Sequence, residues 1–181
     1  MNIIPLEQGS QEWLSYRKSK IMASMSSVIL GINPYQTPYN LWQEILGLIP
    51  PKAETPRMKR GKELEPIARE LFCRESGINM VPCVAESVKY PWLAASLDGI
   101  SPCGTMILEI KCNSEQIHQD VIKGFIPDYH LMQMQHQMLV TGANIGFYYS
   151  FDGEKGVKVK VEYIKDFETK IPALYQFWRG L

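Results

Sequence analysis

The sequence predicts a mixed α/β domain in which a central sheet is sandwiched by helices. Three observations carry that prediction. Leu64, Ile67, Ala68, Leu71 and Phe72 recur at the three-and-four spacing of a buried helix face across Lys59–Ser76, and Gly77 follows as a stop. Three extended segments come next without a helix between them: Pro82–Tyr90, Leu93–Gly99 and Thr105–Cys112. A helical segment, Asp128–Thr141, then separates these from a hairpin formed by Ile145–Phe151 and Gly156–Ile164, turning at Asp152-Gly153. The full order reads αααα-βββ-α-ββ-α, which calls for helices layered on a sheet.

In chain order, Gln8–Lys20 reads as a helix with Ser10 as N-cap and Trp13 one turn from Arg17. Ala23–Leu30 reads as a short helix ended by Gly31. Thr37–Leu48 is amphipathic, with Leu41, Trp42, Ile45 and Leu48 on one stripe. The proline-broken stretch 49–56 is a loop. Within Lys59–Ser76, Pro66 removes a backbone donor, so a kink or restart is expected there, beside Glu65. Glu65 is then either an acid held at a helix irregularity or a surface N-cap glutamate. Gly61, four residues earlier, would let another backbone come close. Ser114–Lys123 is a polar helix or loop, and Asp166–Arg179 closes the chain as a helix.

In Asp128–Thr141, Leu131, Met132, Met134, Met138 and Leu139 define an apolar face, with Gln133 and Gln137 opposite and Gln135 in its middle. A buried amide without partners costs roughly 1–3 kcal/mol. Gln135 therefore belongs to a core polar network or to an active site.

At 181 residues, with 45% hydrophobic and 21% charged composition, the chain is expected to be one globular domain spanning 1–181. It has no apolar run of membrane-spanning length and no signal-peptide pattern at its start. The four cysteines form no Cys-x-x-Cys pair, which argues against zinc and iron–sulfur sites and for a reduced, cytoplasmic setting. Net charge is zero, so a general DNA coat is disfavoured while an enzyme with a local basic groove is not. The basic runs Arg17–Lys20 and Arg57–Lys62 are grooves of that kind or solvated helix faces.

The chemistry-bearing stretch is Leu93–Cys112. Alternation puts Met106, Leu108, Ile110 and Cys112 on one strand face and Ile107, Glu109 and Lys111 on the other. A turn at Cys103-Gly104 sets Asp98 roughly opposite Glu109. Opposed residues lie about 5 Å apart, where two carboxylates repel and invite a cation between them. Oxygen ligands of this kind suit Mg²⁺ or Mn²⁺. The competing reading is a turn aspartate beside a solvated ion pair.

With these pieces placed, the sequence resembles the phage lambda exonuclease family, the YqaJ-type viral recombinases of the PD-(D/E)XK nuclease superfamily. Five stations carry the likeness in order: Trp13-x-x-x-Arg17 with Ala23-Ser24; Gly61-x-x-x-Glu65-Pro66; Ala95-Ser96-Leu97-Asp98-Gly99; Leu108-Glu109-Ile110-Lys111-Cys112; and Gln133 through Gly142. Leu97 replaces the proline of the superfamily name, and Lys20-Ile21-Met22 departs from the usual residues before Ala-Ser. The resemblance implies a restriction-endonuclease-like core and a Mg²⁺-dependent 5′→3′ exonuclease. Such an enzyme digests one strand of linear double-stranded DNA to mononucleotides and leaves 3′ tails.

By the same resemblance, Asp98, Glu109 and the carbonyl of Ile110 hold one metal ion, with Glu65 reaching a second. Lys111 orients the attacking water, and Gln135 fixes Lys111 or that water. Arg17 and Ser24 bind the 5′-phosphate, and Arg57, Lys59, Arg60 and Lys62 contact backbone phosphates. The implied setting is a homotrimeric ring serving a single-strand annealing protein, in a bacterial host carrying a phage or prophage. The alternatives are a restriction-like or structure-specific endonuclease and a non-catalytic DNA-binding module.

Overall fold

The computed structural model describes residues 1–181. Its centre is a seven-stranded mixed sheet: β1 (Asn2–Ile4), β2 (Ile21–Met22), β3 (Val81–Glu86), β4 (Leu93–Ile100), β5 (Met106–Lys111), β6 (Ile145–Phe151) and β7 (Gly156–Glu162). The strands run in the order β1-β3-β4-β5-β6-β7, and β2 pairs with β4 alone. Parallel pairing joins β5 to β6 over six residue pairs, from Met106↔Ile145 to Lys111↔Ser150. The crossover between them carries α5 (Glu115–Ile122) and α6 (Asp128–Thr141), as a parallel pair requires.

Strand alternation divides the core in two. Leu108, Ile110, Tyr149 and Phe151 turn to α4 (Pro56–Ser76), where they pack with Ala68, Phe72 and Met80. Ile107 and Tyr148 point the other way, into a larger cluster with Met134 and Met138 of α6. That cluster also takes Val28 of α2 (Ser26–Ile29), Leu41 of α3 (Pro38–Ile45) and Leu174 of α7 (Ile171–Arg179). The first helix, α1 (Gln11–Lys18), is capped by the Ser10 side chain, which accepts from the Trp13 N–H. No helix is long and apolar enough to cross a membrane.

Several boundaries differ from the sequence expectation, each for a local reason. The helix does not restart at Pro66: α4 runs unbroken from Pro56, capped by Thr55, to the left-handed Gly77. The carbonyl that loses the Pro66 N–H belongs to exposed Lys62, where solvent can replace the bond. Thr37 is the N-cap of α3 rather than part of it. The closing helix is split into a 3₁₀ segment, Lys165–Lys170, and α7, with Pro172 in the first turn of α7. Strands β1 and β2 were not expected. At three and two residues they are too short to show a period.

Candidate active site

The sheet forks at Asp98. Pairing between β4 and β5 lasts only two residue pairs, Gly99↔Leu108 and Ile100↔Ile107. Beyond it, β4 continues beside β2 through Leu93 and Ala94, while β5 continues beside β6. The next ladder step would set Asp98 against Glu109. Instead the Ile110 N–H donates to Asp98 Oδ2 at 2.7 Å, so the carboxylate replaces a ladder carbonyl and holds the fork open. Gly99 permits this close crossing, because a Cβ there would lie 2.8 Å from Met80 Cβ. Asp98, Glu65, Ile110 and Lys111 line a cleft of about 510 Å³ at the fork.

Glu109 is 1% exposed, which is tolerable for a carboxylate only with full hydrogen bonding. Gln133 Nε2 donates to its Oε1 at 2.7 Å and Gln137 Nε2 to its Oε2 at 2.5 Å. Lys111 Nζ is ion-paired to Oε1 as well. Two glutamines one helical turn apart thus grip both oxygens of one acid.

Gln135, expected at the site, is not there. Its Nε2 donates to the Glu162 carbonyl at 2.9 Å and its Oε1 accepts from the Ile164 N–H at 2.7 Å, tying α6 to the end of β7. Of the two readings open for its buried amide, the core network is the correct one. The expectation failed because α6 is covered on both sides, so its polar face meets the sheet rather than water. The usable signal was the i, i+4 pairing of Gln133 and Gln137, which places two amides on one face.

Glu65 lines the cleft but is ion-paired to Arg69, whose Nε also donates to the Asp98 carbonyl at 2.5 Å. Arg69 was missed by the sequence reading, although its i+4 position after Glu65 announces the pair. Gly61 also differs from expectation. A Cβ there would meet nothing within 4 Å, so no close approach requires the glycine, which instead lines the cleft.

The electrostatics at the fork are set by crowded carboxylates around one ammonium. Burial, then the charges of Glu109 and Glu65, raise the Asp98 carboxyl well above the usual range, against the pull of Lys111 and the Ile110 N–H. For Lys111, burial disfavours the charge, but Glu109 and Asp98 outweigh it and hold the ammonium protonated above the ordinary lysine range. No three Asp, Glu, His or Cys side chains converge as a ready coordination cluster. Two carboxylates and a carbonyl nevertheless fit Mg²⁺, which keeps several of its waters. Glu65, committed to Arg69, fits such a set only through water.

A second pocket of about 170 Å³ adjoins the first and shares Asp98, Lys111, Gln133 and Ser24 with it. Arg17 lines it, with its guanidinium carbon 4.4 Å from the Trp13 ring centroid; Trp13 Nε1 in turn donates to Ser96 Oγ at 2.9 Å. Burial lowers the Arg17 pKa, and no carboxylate pairs with it. A half-buried guanidinium stacked on indole and lacking a counter-ion can receive an anion. Ser24 is exposed at its edge, in the 3₁₀ turn Ala23–Met25.

The basic run divides. Arg57 and Lys62 line the large cleft, although Lys62 is paired with Glu54 at 2.5 Å. Arg60 lies beside it and donates to the Asp152 carbonyl at 3.1 Å. Lys59 lines neither cavity and is a solvated helix residue.

Comparison with known proteins places the chain in a family. The chain is 29% identical over 139 residues to YqaJ of Bacillus subtilis (strain 168), covering 75% of this chain and 44% of that protein. It is 27% identical over 149 residues to a protein of Acanthamoeba polyphaga mimivirus, of which it covers 27%. It therefore spans less than half the length of the curated relatives it matches. The crystal structure of the alkaline exonuclease LHK-Exo from Laribacter hongkongensis superposes with a TM-score of 0.79 at 25% identity, covering 94% of this chain and 93% of that one. LHK-Exo in complex with dAMP gives 0.80 at 24% identity, over 94% and 92%. Residues 12–144 match the model of the YqaJ-like viral recombinase domain, and the chain belongs to that family.

Proposed function

We propose that the chain is a metal-dependent deoxyribonuclease, a single nuclease domain that digests one strand of linear double-stranded DNA 5′→3′ to mononucleotides. The observation that carries this reading is the adjacency of two pockets. The larger presents Asp98 and Lys111, and the smaller brings Glu109 and Arg17, the latter without a counter-ion, to the same two side chains. An enzyme that cuts anywhere along a duplex does not need an enclosed pocket for a terminal phosphate dianion, since the phosphates flanking its site are diesters in an open groove. An enzyme that starts from a phosphorylated end does.

Asp98, Glu109 and the Ile110 carbonyl would hold Mg²⁺, with Mn²⁺ as a substitute. A bound ion there supplies Lewis-acid stabilisation of the charge that builds on the phosphate. The chain's own residues do the rest. Lys111, fixed by Glu109 and protonated, orients the attacking water and adds positive charge at the scissile phosphate. Gln133 and Gln137 keep Glu109 from moving, and Arg69 does the same for Glu65. Arg17 takes the 5′-phosphate through two N–H groups, and Ser24 adds a hydroxyl. Arg57 and Lys62 receive backbone phosphates without reading bases, so binding weakens with salt. LHK-Exo, of the same fold, binds dAMP, the kind of product such digestion releases. A trimeric ring, a single-strand annealing partner and a cytoplasmic setting in a phage- or prophage-carrying host belong to the same proposal.

The test is incubation with linear and covalently closed duplex DNA, with and without Mg²⁺, using 5′-phosphate and 5′-hydroxyl ends. Linear, 5′-phosphorylated DNA should be degraded to mononucleotides while the circle survives. Arg17→Ala should erase the preference for 5′-phosphate. Degradation of the circle would replace this reading with an endonuclease, and inertness toward both with a binding module.

A further inference from the structure

One wall of the large cleft is aromatic and takes no part in the chemistry above. Tyr35, Tyr129 and His130 line it together with Asn33, in the same cleft as Arg57 and Lys62. Tyr35 and Tyr129 meet edge to face at 5.7 Å, and Tyr129 and His130 at 4.4 Å.

Both ends of this wall are built. The Tyr35 N–H donates to Asn33 Oδ1 at 2.8 Å, and Asn33 Nδ2 donates to Ser27 Oγ at 3.3 Å, which fastens the turn to α2. At the other end, His130 Nδ1 lies 2.8 Å from the Tyr148 hydroxyl, which accepts from Asn113 Nδ2 at 2.9 Å. The same Asn113 amide reaches Ser150 Oγ at 2.9 Å, and His118 Nδ1 lies 2.8 Å from that oxygen. Burial and the nearby charges of Lys111 and Arg57 push His130 down to about 3, so its ring is neutral and presents an aromatic surface. Tyr35 is nonetheless 64% exposed. An aromatic ring tied down on a hydrogen-bonded turn, yet left open to the cleft, is a stacking surface without its partner.

We propose that Tyr35, Tyr129 and His130 form a platform for an unstacked nucleobase of the strand being cut. The proposal rests on the nuclease reading and adds a subsite to it. Size suits a lone nucleotide: about 510 Å³ lies within the range of small-molecule pockets. Charge favours it too, since Arg57 and Lys62 share the cleft with the rings and suit the phosphates on either side, apart from Asp98 and Glu65 at the fork. Stacking tolerates every base, so the platform holds a strand end without reading its sequence.

The test uses Lys111→Ala protein, which binds without turnover, and a 5′-phosphorylated duplex carrying 2-aminopurine near the end to be cut. Its fluorescence should be quenched on binding. Adding Tyr35→Ala should remove the quenching and weaken binding roughly tenfold, toward the lower end of what one base stacked on one ring contributes. Tyr35→Phe should restore both. With an abasic nucleotide at that position, the Lys111→Ala protein should bind equally well with and without Tyr35→Ala. Unchanged quenching and affinity in Tyr35→Ala, with DNA still bound, would overturn the platform alone. Quenching only of a probe in the uncut strand would also overturn it. If wild-type protein neither binds nor cuts linear duplex, the nuclease reading and the platform fall together.

Discussion

On the α4 side of the β5–β6 pair, Leu108, Ile110, Tyr149 and Phe151 close into an apolar cluster with Ala68 and Phe72. On the α6 side of the same strands, Glu109, Lys111, Tyr148 and Ser150 engage Gln133, Gln137, Asn113, His118 and His130 through hydrogen bonds and an ion pair. The first face carries packing alone, whereas the second carries the chemistry beside the larger core cluster. The apolar face also sets the register for both, since a one-residue slip would bury Glu109 against Phe72. A buried polar face of this kind holds together only when each acid keeps its donors.

The sharpest way to separate the two faces is Asp98→Asn. It should cost at least about a thousandfold in rate, as expected for removing a group that acts on the reacting phosphate. It should also raise the melting temperature of metal-free protein at pH 7. The Asp98 carboxyl is raised in the fold, so its charge is disfavoured there. The unfolded chain loses that proton first as pH rises above about 4, and wild-type stability falls from there until the folded group ionises, by about 1.4 kcal/mol for each step of one in pH. Thermal melts should therefore show the gain from Asp98→Asn at pH 7 and none below the unfolded pKa. Added Mg²⁺ should stabilise wild type and leave the variant unmoved.

On the apolar face, Phe72→Ala should cost about 3–5 kcal/mol in denaturant unfolding, with the rate per folded molecule unchanged. Lost activity in a still-folded Phe72→Ala protein would dissolve the distinction between the faces. Within the polar face, Gln137→Ala should cost about 1–3 kcal/mol by stranding a buried oxygen of Glu109, and should lower the rate as well. The smallest effect belongs to Gln135→Ala. It should cost about 1 kcal/mol, because Ile164 and Glu162 are exposed and water can replace the lost bonds, while nuclease activity stays intact. Steady-state rates beside melting curves for the two glutamine variants would settle which one serves the site.

What was legible beforehand followed from period and pairing. The helix Asp128–Thr141, the strand Ile145–Phe151, the Ser10 cap and the two faces of Met106–Cys112 all appear where spacing puts them. Asp98, Glu109 and Lys111 could be brought together because a hairpin register relates them through few residues. Arg69 and the Gln133–Gln137 pair were open to the same kind of argument, since each depends on an i, i+4 relation, but their partners lie on other elements.

The sequence by itself determined the faces, the hairpin and the residues that carry charge, because alternation and helical period act over a few neighbours. Only the tertiary structure decided which amide meets which acid. A helix covered on both sides has no water-facing side to fix its rotation, so packing against the sheet turned Gln133 and Gln137 toward Glu109 and left Gln135 to the end of β7. The fork at Asp98 is equally non-local: it exists because β2, from the start of the chain, takes the place beside β4 that β5 leaves.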